Sequence, residues 1–201
     1  MTRLMAIKRM LVGAVVIGIL IYTFALGIPA RGANPFDYFG YFTNLTALLT
    51  AIVLIATGAT TLRLGRAPLA LHTMRGVAVA CMIVVGLIYN LLVPGTGTAP
   101  VWVSVVLHIA LPILLVLDWL LIADRPPLPW RRLWWVLPYP VLWLGVTLAR
   151  GAVDGWVPYG FLLPERGAGT LVATSAGLLA TLVAAGALVW TMSRADFFSR
   201  R

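Results

Sequence analysis

The 201-residue sequence has few charged residues, few acidic residues, one cysteine and two histidines. Charged side chains make up 10% of it, where a soluble domain carries about 25%, and hydrophobic residues make up 61%. A domain of this size leaves much of its chain in contact with water, so it cannot hide that much apolar surface. The composition excludes a soluble globular domain and also a disordered chain.

The scarcity of cysteine and histidine limits metal chemistry. A single cysteine, Cys81, excludes a disulfide framework and an iron–sulfur cluster. A zinc site needs three or four ligands, and the second histidine, His72, falls in a predicted loop far from His108. Nothing else in the sequence supports haem ligation by His108, and there is no internal repeat or glycine-rich nucleotide motif. We predict neither a metal nor a cofactor.

Long apolar runs dominate what is present. A membrane-spanning helix needs about 20 mostly apolar residues. Runs of this kind cover about residues 7–27, 40–60, 76–94, 101–123, 133–150 and 170–192. They predict an all-α, integral membrane bundle of six transmembrane helices, forming a single domain over residues 1–201. The first run is long for the apolar region of a signal peptide, so we expect it to be retained.

The positive charges predict the orientation of these spans. The chain has 15 Lys+Arg against 6 Asp+Glu, a formal charge of +9. With the N-terminus in the cytoplasm, Arg31, Arg150 and Arg166 fall outside, and the others fall in cytoplasmic segments: Arg3, Lys8, Arg9, Arg63, Arg66, Arg75, Arg125, Arg131, Arg132, Arg194, Arg200 and Arg201. Positive residues favour the cytoplasmic side, so both termini are predicted there. The net charge is therefore an orientation signal, and we predict no nucleic-acid partner.

Polar side chains inside a membrane are functional candidates by default. Asp118, late in the fourth span, and Arg75, at the start of the third, fall on the same side. We interpret them as a structural ion pair between neighbouring helices, since buried charges are usually paired. A role in proton relay is the alternative.

A second set of polar residues falls in the outer third of the membrane and comes from four different spans: Thr43, Asn44, Asn90, His108 and Arg150. A hydroxyl, an imidazole, amides and a guanidinium are the groups that acyl transfer requires. Structural interpretations remain open for each of them. Thr43 falls on one helix face with Thr46 and Thr50, where threonine commonly bonds to its own helix or a neighbouring one. Tyr89 and Asn90 are also typical of an interfacial anchor, and Arg150 with Asp154 of a rim ion pair.

Four segments resemble a known family: Phe36–Thr46, Gly86–Leu92, the stretch from His108 through Pro112 to Asp118-Trp119, and Asp154–Leu162. In this order on six spans they are similar to the androgen-induced-gene family, and in particular to its bacterial branch, the Pr6Pr family. Gly160 and Leu163 depart from that pattern, which usually has Pro and, in bacterial members, Asp at these places.

The resemblance implies a membrane threonine hydrolase that cleaves fatty acid esters of hydroxy fatty acids. By position, Thr43 is the nucleophile and His108 the base. Asn44, Asn90, Tyr89 and Arg150 are candidates for substrate binding or oxyanion stabilisation. We expect a lipid or fatty acyl ester substrate, contact with membrane lipids, and a site facing the outer leaflet of a bacterial cytoplasmic membrane. The alternative is a small transporter or lipid-binding module without hydrolase activity, or a structural factor.

Overall fold

A computed structural model describes residues 2–96, 99–122 and 124–195. Within these residues all regular secondary structure is helical. Six long helices follow one another along the chain: α1 (Thr2–Arg31), α2 (Phe42–Leu64), α3 (Leu69–Leu92), α4 (Val101–Leu121), α5 (Pro138–Val153) and α6 (Ala168–Met192). Short helical segments join them: Pro35–Gly40, Trp130–Val136, Gly160–Leu162 and Pro164–Arg166.

Proline and glycine set several helix boundaries. Gly65, with φ at 76°, ends α2 in the left-handed conformation that glycine adopts at helix C-termini. Pro68 and Pro100 precede the first residues of α3 and α4, and Pro138 opens α5. Proline is tolerated at a helix start because the missing N–H has no helical partner there. Proline and glycine thus mark where these helices begin and end.

The six apolar helices form one bundle with α3 at its centre. Helix α3 packs against α2, α4 and α6, and α1 runs along α2. Two glycines permit close approach of α1 and α2: a Cβ at Gly13 would come within 2.7 Å of the Ala51 carbonyl oxygen, and one at Gly58 within 2.6 Å of the Ala6 carbonyl oxygen. Small residues at such crossings are typical of membrane helix pairs.

The outer surface of the bundle is apolar. On α1, the large side chains of Leu4, Ile7, Leu11 and Val15 recur every three or four residues and are all exposed, so one whole face of this helix lies outside the core. Six helical spans are long and apolar enough to cross a membrane, and the fifth of them runs from Trp130 through α5 to Val153. The predicted all-α fold with six such helices is confirmed. Arg200 and Arg201, two of the charges used to predict orientation, lie outside the described residues.

Helix α4 is locally widened where His108 lies. Residues Val106–Ala110 form a π-helical turn between two α-helical segments. Pro112 follows within the helix and has no N–H to offer to the carbonyl of His108, four residues earlier. Wide turns of this kind are frequent at functional sites, and this one leaves a backbone carbonyl at His108 available to another helix.

Candidate functional site

Thr43 and His108 lie in contact at one end of the bundle. The Thr43 hydroxyl oxygen is 3.3 Å from His108 Nε2, although the two residues are on different helices. Thr43 is the second residue of α2, and His108 lies in the π-helical turn of α4. The structure thus brings a hydroxyl and an imidazole to the distance at which one can take the proton of the other.

The other ring nitrogen of His108 determines what Nε2 can do. Nδ1 is 2.9 Å from the Ser104 carbonyl oxygen. A carbonyl only accepts hydrogen bonds, so Nδ1 must carry the proton and donate it there. In the neutral ring, Nε2 is then left with its lone pair directed at Thr43. This is the tautomer that a general base for the Thr43 hydroxyl needs.

Two residues of α3 hold His108 in place. The ring of Tyr89 stacks on the imidazole with centroids 3.5 Å apart and planes inclined by 13°. The Asn90 side-chain amide donates to the carbonyl oxygens of Gly86, at 2.7 Å, and His108, at 3.2 Å. Pro112 has no N–H to donate to the His108 carbonyl, and Asn90 donates to that carbonyl in its place.

The amides of Asn44 and Asn90 have partners other than the reacting groups. Asn44 donates to the Tyr38 carbonyl at 2.9 Å and so ties the start of α2 to the short helix Pro35–Gly40. Both N–H groups of Asn90 are engaged by the two carbonyls it binds. Asn90 thus positions the backbone through both of its N–H groups, and Asn44 does so through one.

Thr43 differs from six other threonines of the helices in the partner of its hydroxyl group. The hydroxyl groups of six threonines each donate to the carbonyl four residues earlier: Thr23, Thr57, Thr61, Thr73, Thr181 and Thr191. This is the ordinary arrangement for threonine in a membrane helix. One turn further along α2, Thr46 is 2.8 Å from the Tyr139 hydroxyl. The structure records no hydrogen-bond partner for the buried hydroxyl of Thr50.

A pocket opens beside Thr43. It is a narrow cavity of about 60 Å³ that opens to the outside of the bundle. Helices α3, α5 and α6 form its walls, with Trp143 and Leu144 of α5 opposite Leu178 and Leu182 of α6. Its lining, as far as the structure describes it, contains no charged side chain. The pocket therefore suits an apolar group whose reacting end lies at Thr43.

The segment that connects α5 to α6 adds a residue that the sequence did not single out. Tyr159 lines the same pocket as Thr43, and its hydroxyl lies near Thr43 and the backbone N–H of Phe42. Burial raises the pKa of Tyr159, so its hydroxyl keeps its proton at neutral pH. Its position in the Asp154–Leu162 motif was the available signal, but nothing in the sequence indicates which helix it meets.

Arg150 lies at the rim of this end and is already engaged by carboxylates. It is 2.9 Å from an Asp37 oxygen and 3.0 Å from an Asp154 oxygen. Its guanidinium also lies 4.2 Å from the centroid of the Trp156 ring. Two acidic partners neutralise its charge, so Arg150 fastens the connecting segment to the short helix Pro35–Gly40.

Arg75 and Asp118 lie at the opposite end, 3.0 Å apart. They belong to a larger ion cluster, defined here as Arg9, Arg75, Asp118 and Asp124. Arg9 is 3.0 Å from Asp118 and also bonds Asp124, and Arg75 is 3.3 Å from Asp124. The arginines are 4% and 2% exposed, which places this cluster inside the protein.

Sequence reasoning missed two members of the ion cluster, Arg9 and Asp124. Arg9 was assigned to the cytoplasmic N-terminal segment, and Asp124 falls in the loop after the fourth span. The number of buried charges is the signal that could have found them, because two buried arginines need two carboxylates. His72, 3.4 Å from Arg75 through Nδ1, lies beside this cluster and far from the Thr43 end.

Metal binding finds no support in the described part of the chain, where no group of three or more His, Cys, Asp or Glu could hold an ion. Comparison with known proteins adds no function either: no family model matches the chain, and no curated protein and no solved structure is significantly similar to it. What the site does must therefore be argued from its own geometry.

Proposed function

We propose that the chain is a membrane-embedded lipid ester hydrolase in which Thr43 is the nucleophile and His108 the base. One observation carries the proposal: the Thr43 hydroxyl lies 3.3 Å from His108 Nε2, beside an uncharged pocket. The hydrogen bond from Nδ1 to the Ser104 carbonyl leaves Nε2 free to accept a proton. A nucleophile, a base and a group that orients the base make up the minimum arrangement for acyl transfer.

The reaction follows from these groups. The Thr43 oxygen attacks the ester carbonyl carbon while its proton passes to His108 Nε2, and the carbonyl electron pair moves to oxygen. When the intermediate collapses, the bond to the alcohol oxygen breaks and His108 returns the proton to that oxygen. Water then attacks the acyl-Thr43 ester by the same route, giving the acid and the free hydroxyl. No cofactor takes part in these steps.

The lining of the pocket supports a fatty acyl ester as substrate. Apolar side chains of α3, α5 and α6 surround it, and the polar groups lie at Thr43. A hydrocarbon chain would gain about 0.8 kcal/mol for each CH₂ moved from water into such surroundings. Esters of hydroxy fatty acids, the substrates that the family resemblance implies, belong to this class.

The location belongs to the same proposal. Positive charges favour a cytoplasmic position for both termini, which puts Thr43 near the outer leaflet of a cell membrane, in bacteria the cytoplasmic membrane. The family resemblance, to the androgen-induced-gene hydrolases and the Pr6Pr branch, is part of the proposal and rests on the four sequence segments.

Labelling with a fluorophosphonate probe tests the dyad. The purified protein in detergent should be labelled and should hydrolyse p-nitrophenyl esters of fatty acids. Thr43→Ala and His108→Ala should lose both activities, and Thr43→Ser should retain hydrolysis because it keeps a hydroxyl.

Thr46→Ala is the matched control, since Thr46 lies one turn along the same helix and pairs with Tyr139. It should be labelled like the wild type. Full hydrolysis by both Thr43→Ala and His108→Ala would contradict the proposal.

The alternative of a proton-coupled transporter receives less support. Asp118 would be its proton-carrying group, but Arg9 and Arg75 both bind it in ion pairs that join three helices. Uptake into vesicles that is lost in Asp118→Asn would favour this alternative.

A further inference from the structure

The proposed hydrolase reaction needs a hydrogen-bond donor for the carbonyl oxygen, and no residue has yet been assigned to this role. Attack on an ester carbonyl places negative charge on the carbonyl oxygen, and hydrogen-bond donors directed at that oxygen are usually the largest single contribution to the rate. Asn44 and Asn90 donate to backbone carbonyls instead. The donor must be sought among other groups that reach Thr43.

Tyr159 meets this requirement in position. Its side chain lines the pocket together with Thr43, and its hydroxyl interacts with the Thr43 hydroxyl. A group in contact with the nucleophile is also close to the carbonyl oxygen of an ester that the nucleophile attacks. Tyr159 could then donate to the carbonyl oxygen of the same ester whose carbonyl carbon Thr43 attacks.

The backbone of α2 orients the Tyr159 hydroxyl. The N–H groups of Phe42 and Thr43 interact with the phenolic oxygen. These N–H groups belong to the first turn of α2, where no helical partner exists, and the side chain of Tyr41 does not cap this turn. A phenol both donates and accepts hydrogen bonds, so a Tyr159 hydroxyl beside these N–H groups still has its own proton to donate.

Aromatic neighbours fix the ring itself. Tyr41 packs edge-on at 5.9 Å between centroids, Trp143 lies at 6.1 Å, and Phe161 stacks at 5.2 Å. A donor that is held in place before the reaction needs no reorganisation when charge develops, which is what makes such donors effective.

We infer that Tyr159 is a catalytic residue that donates its hydroxyl hydrogen bond to the oxyanion formed when Thr43 attacks the ester, an inference that rests on the proposed hydrolase function. Tyr159 keeps its proton throughout the step. The proton of Thr43 goes to His108, and the electron pair of the carbonyl bond rests on the oxygen that Tyr159 faces.

The test compares two tyrosines that each pair with a threonine of α2. Tyr159→Phe removes the proposed donor, whereas Tyr139→Phe removes the hydroxyl that pairs with Thr46 one turn away. On p-nitrophenyl fatty acyl esters we expect kcat to fall about 100- to 1,000-fold in Tyr159→Phe with little change in KM. Tyr139→Phe should keep kcat within about threefold, because Thr46 is not placed in the reaction.

A fluorinated tyrosine at position 159 keeps the shape of the ring and covers the case in which Tyr159→Phe fails to fold. Fluorine lowers the pKa of the phenol, so the high-pH decline of kcat should move to lower pH. A purely structural role for Tyr159 would leave that profile unmoved.

The outcomes separate the two proposals. Wild-type protein that neither reacts with the fluorophosphonate nor hydrolyses the esters overturns the hydrolase function and the role of Tyr159 together. Hydrolysis that depends on Thr43 but survives in folded Tyr159→Phe, or a pH profile unchanged by fluorination, overturns the role of Tyr159 alone.

Discussion

Asn90 donates its side-chain amide to the backbone carbonyl of His108, 3.2 Å away on the neighbouring helix. This bond exists because Pro112 lacks the N–H that would otherwise reach that carbonyl. A proline in α4 and an asparagine in α3 thus act together to fix the backbone of the proposed base.

Replacing Asn90 should therefore affect turnover more than binding. We expect Asn90→Ala to lower kcat about tenfold, since small displacements of a catalytic group are costly, with little change in KM. Ester hydrolysis by the purified variant measures this. Thr96→Ala is the control, because its hydroxyl bonds the Val93 carbonyl just beyond the same end of α3; an equal loss there would argue against a specific role for Asn90.

The stacking of Tyr89 on His108 gives a second prediction. Tyr89→Phe keeps an aromatic face against the imidazole and should retain activity, whereas Tyr89→Leu removes it. Aromatic pairs contribute about 0.5–1.5 kcal/mol, so we expect kcat to fall about two- to tenfold in Tyr89→Leu. Steady-state kinetics of the two variants side by side would show the difference, and equal rates would mean that stacking is immaterial.

The ion cluster at the opposite end should govern stability. Arg9→Ala leaves Asp118 and Asp124 with Arg75 as their shared partner. Removing one partner from a buried pair costs about 3–5 kcal/mol, and we expect a loss of this size in the free energy of unfolding, measured by denaturant titration in detergent. Lys8→Ala, an exposed neighbour on α1, should unfold like the wild type. A stable Arg9→Ala variant would show that the cluster is dispensable.

Acid should weaken the same cluster. Burial by itself raises the pKa of Asp124, but the hydrogen bond from Arg9 and the charge of Arg75 outweigh it and lower the pKa to about 2. The unfolded value is about 3.9, so ionised Asp124 stabilises the fold above about pH 4, and this contribution disappears as the pH falls from about 4 to about 2. The free energy of unfolding, measured across this range, should show the decline. Asp124→Asn should be less stable than the wild type at neutral pH, and its stability should not show the decline that protonation of Asp124 causes.

The crossing of α1 and α2 gives a matched pair of glycine variants. Gly13→Ala places a methyl group 2.7 Å from the Ala51 carbonyl oxygen, whereas Gly18→Ala on the same helix meets nothing within 4 Å. We expect Gly13→Ala to destabilise the protein by about 1–3 kcal/mol and Gly18→Ala to be neutral or slightly stabilising, because alanine favours helix over glycine by about 1 kcal/mol. Thermal unfolding of both variants tests this.

The sequence predicts the helices well because a membrane span is a local property. Apolar length alone located the six runs, and the structure has six helices over nearly the same residues. The sequence did not predict the π-helical turn at His108 or the short helix Pro35–Gly40, because neither changes the hydropathy of the chain.

Contacts between helices are harder to predict, since apolar periodicity does not give helix order. Arg9 bonds carboxylates that lie more than a hundred residues away along the sequence. From the sequence alone it was predicted to be a cytoplasmic charge. Tyr159 lines the same pocket as Thr43 but belongs to a connecting segment, near which Arg150 pairs with Asp37 and Asp154. The partners become visible only when all six helices are in place.

None of the side chains described in the pocket lining is charged, which has a consequence for the end of the proposed catalytic cycle. An intact ester is neutral and is compatible with the apolar side chains of α3, α5 and α6 that line the pocket. The acid released by hydrolysis ionises near neutral pH, and a carboxylate in apolar surroundings without a cation is strongly disfavoured. In the proposed reaction, ionisation of the product would thus favour its departure toward the aqueous boundary, so that a neutral ester enters the pocket and a carboxylate leaves it.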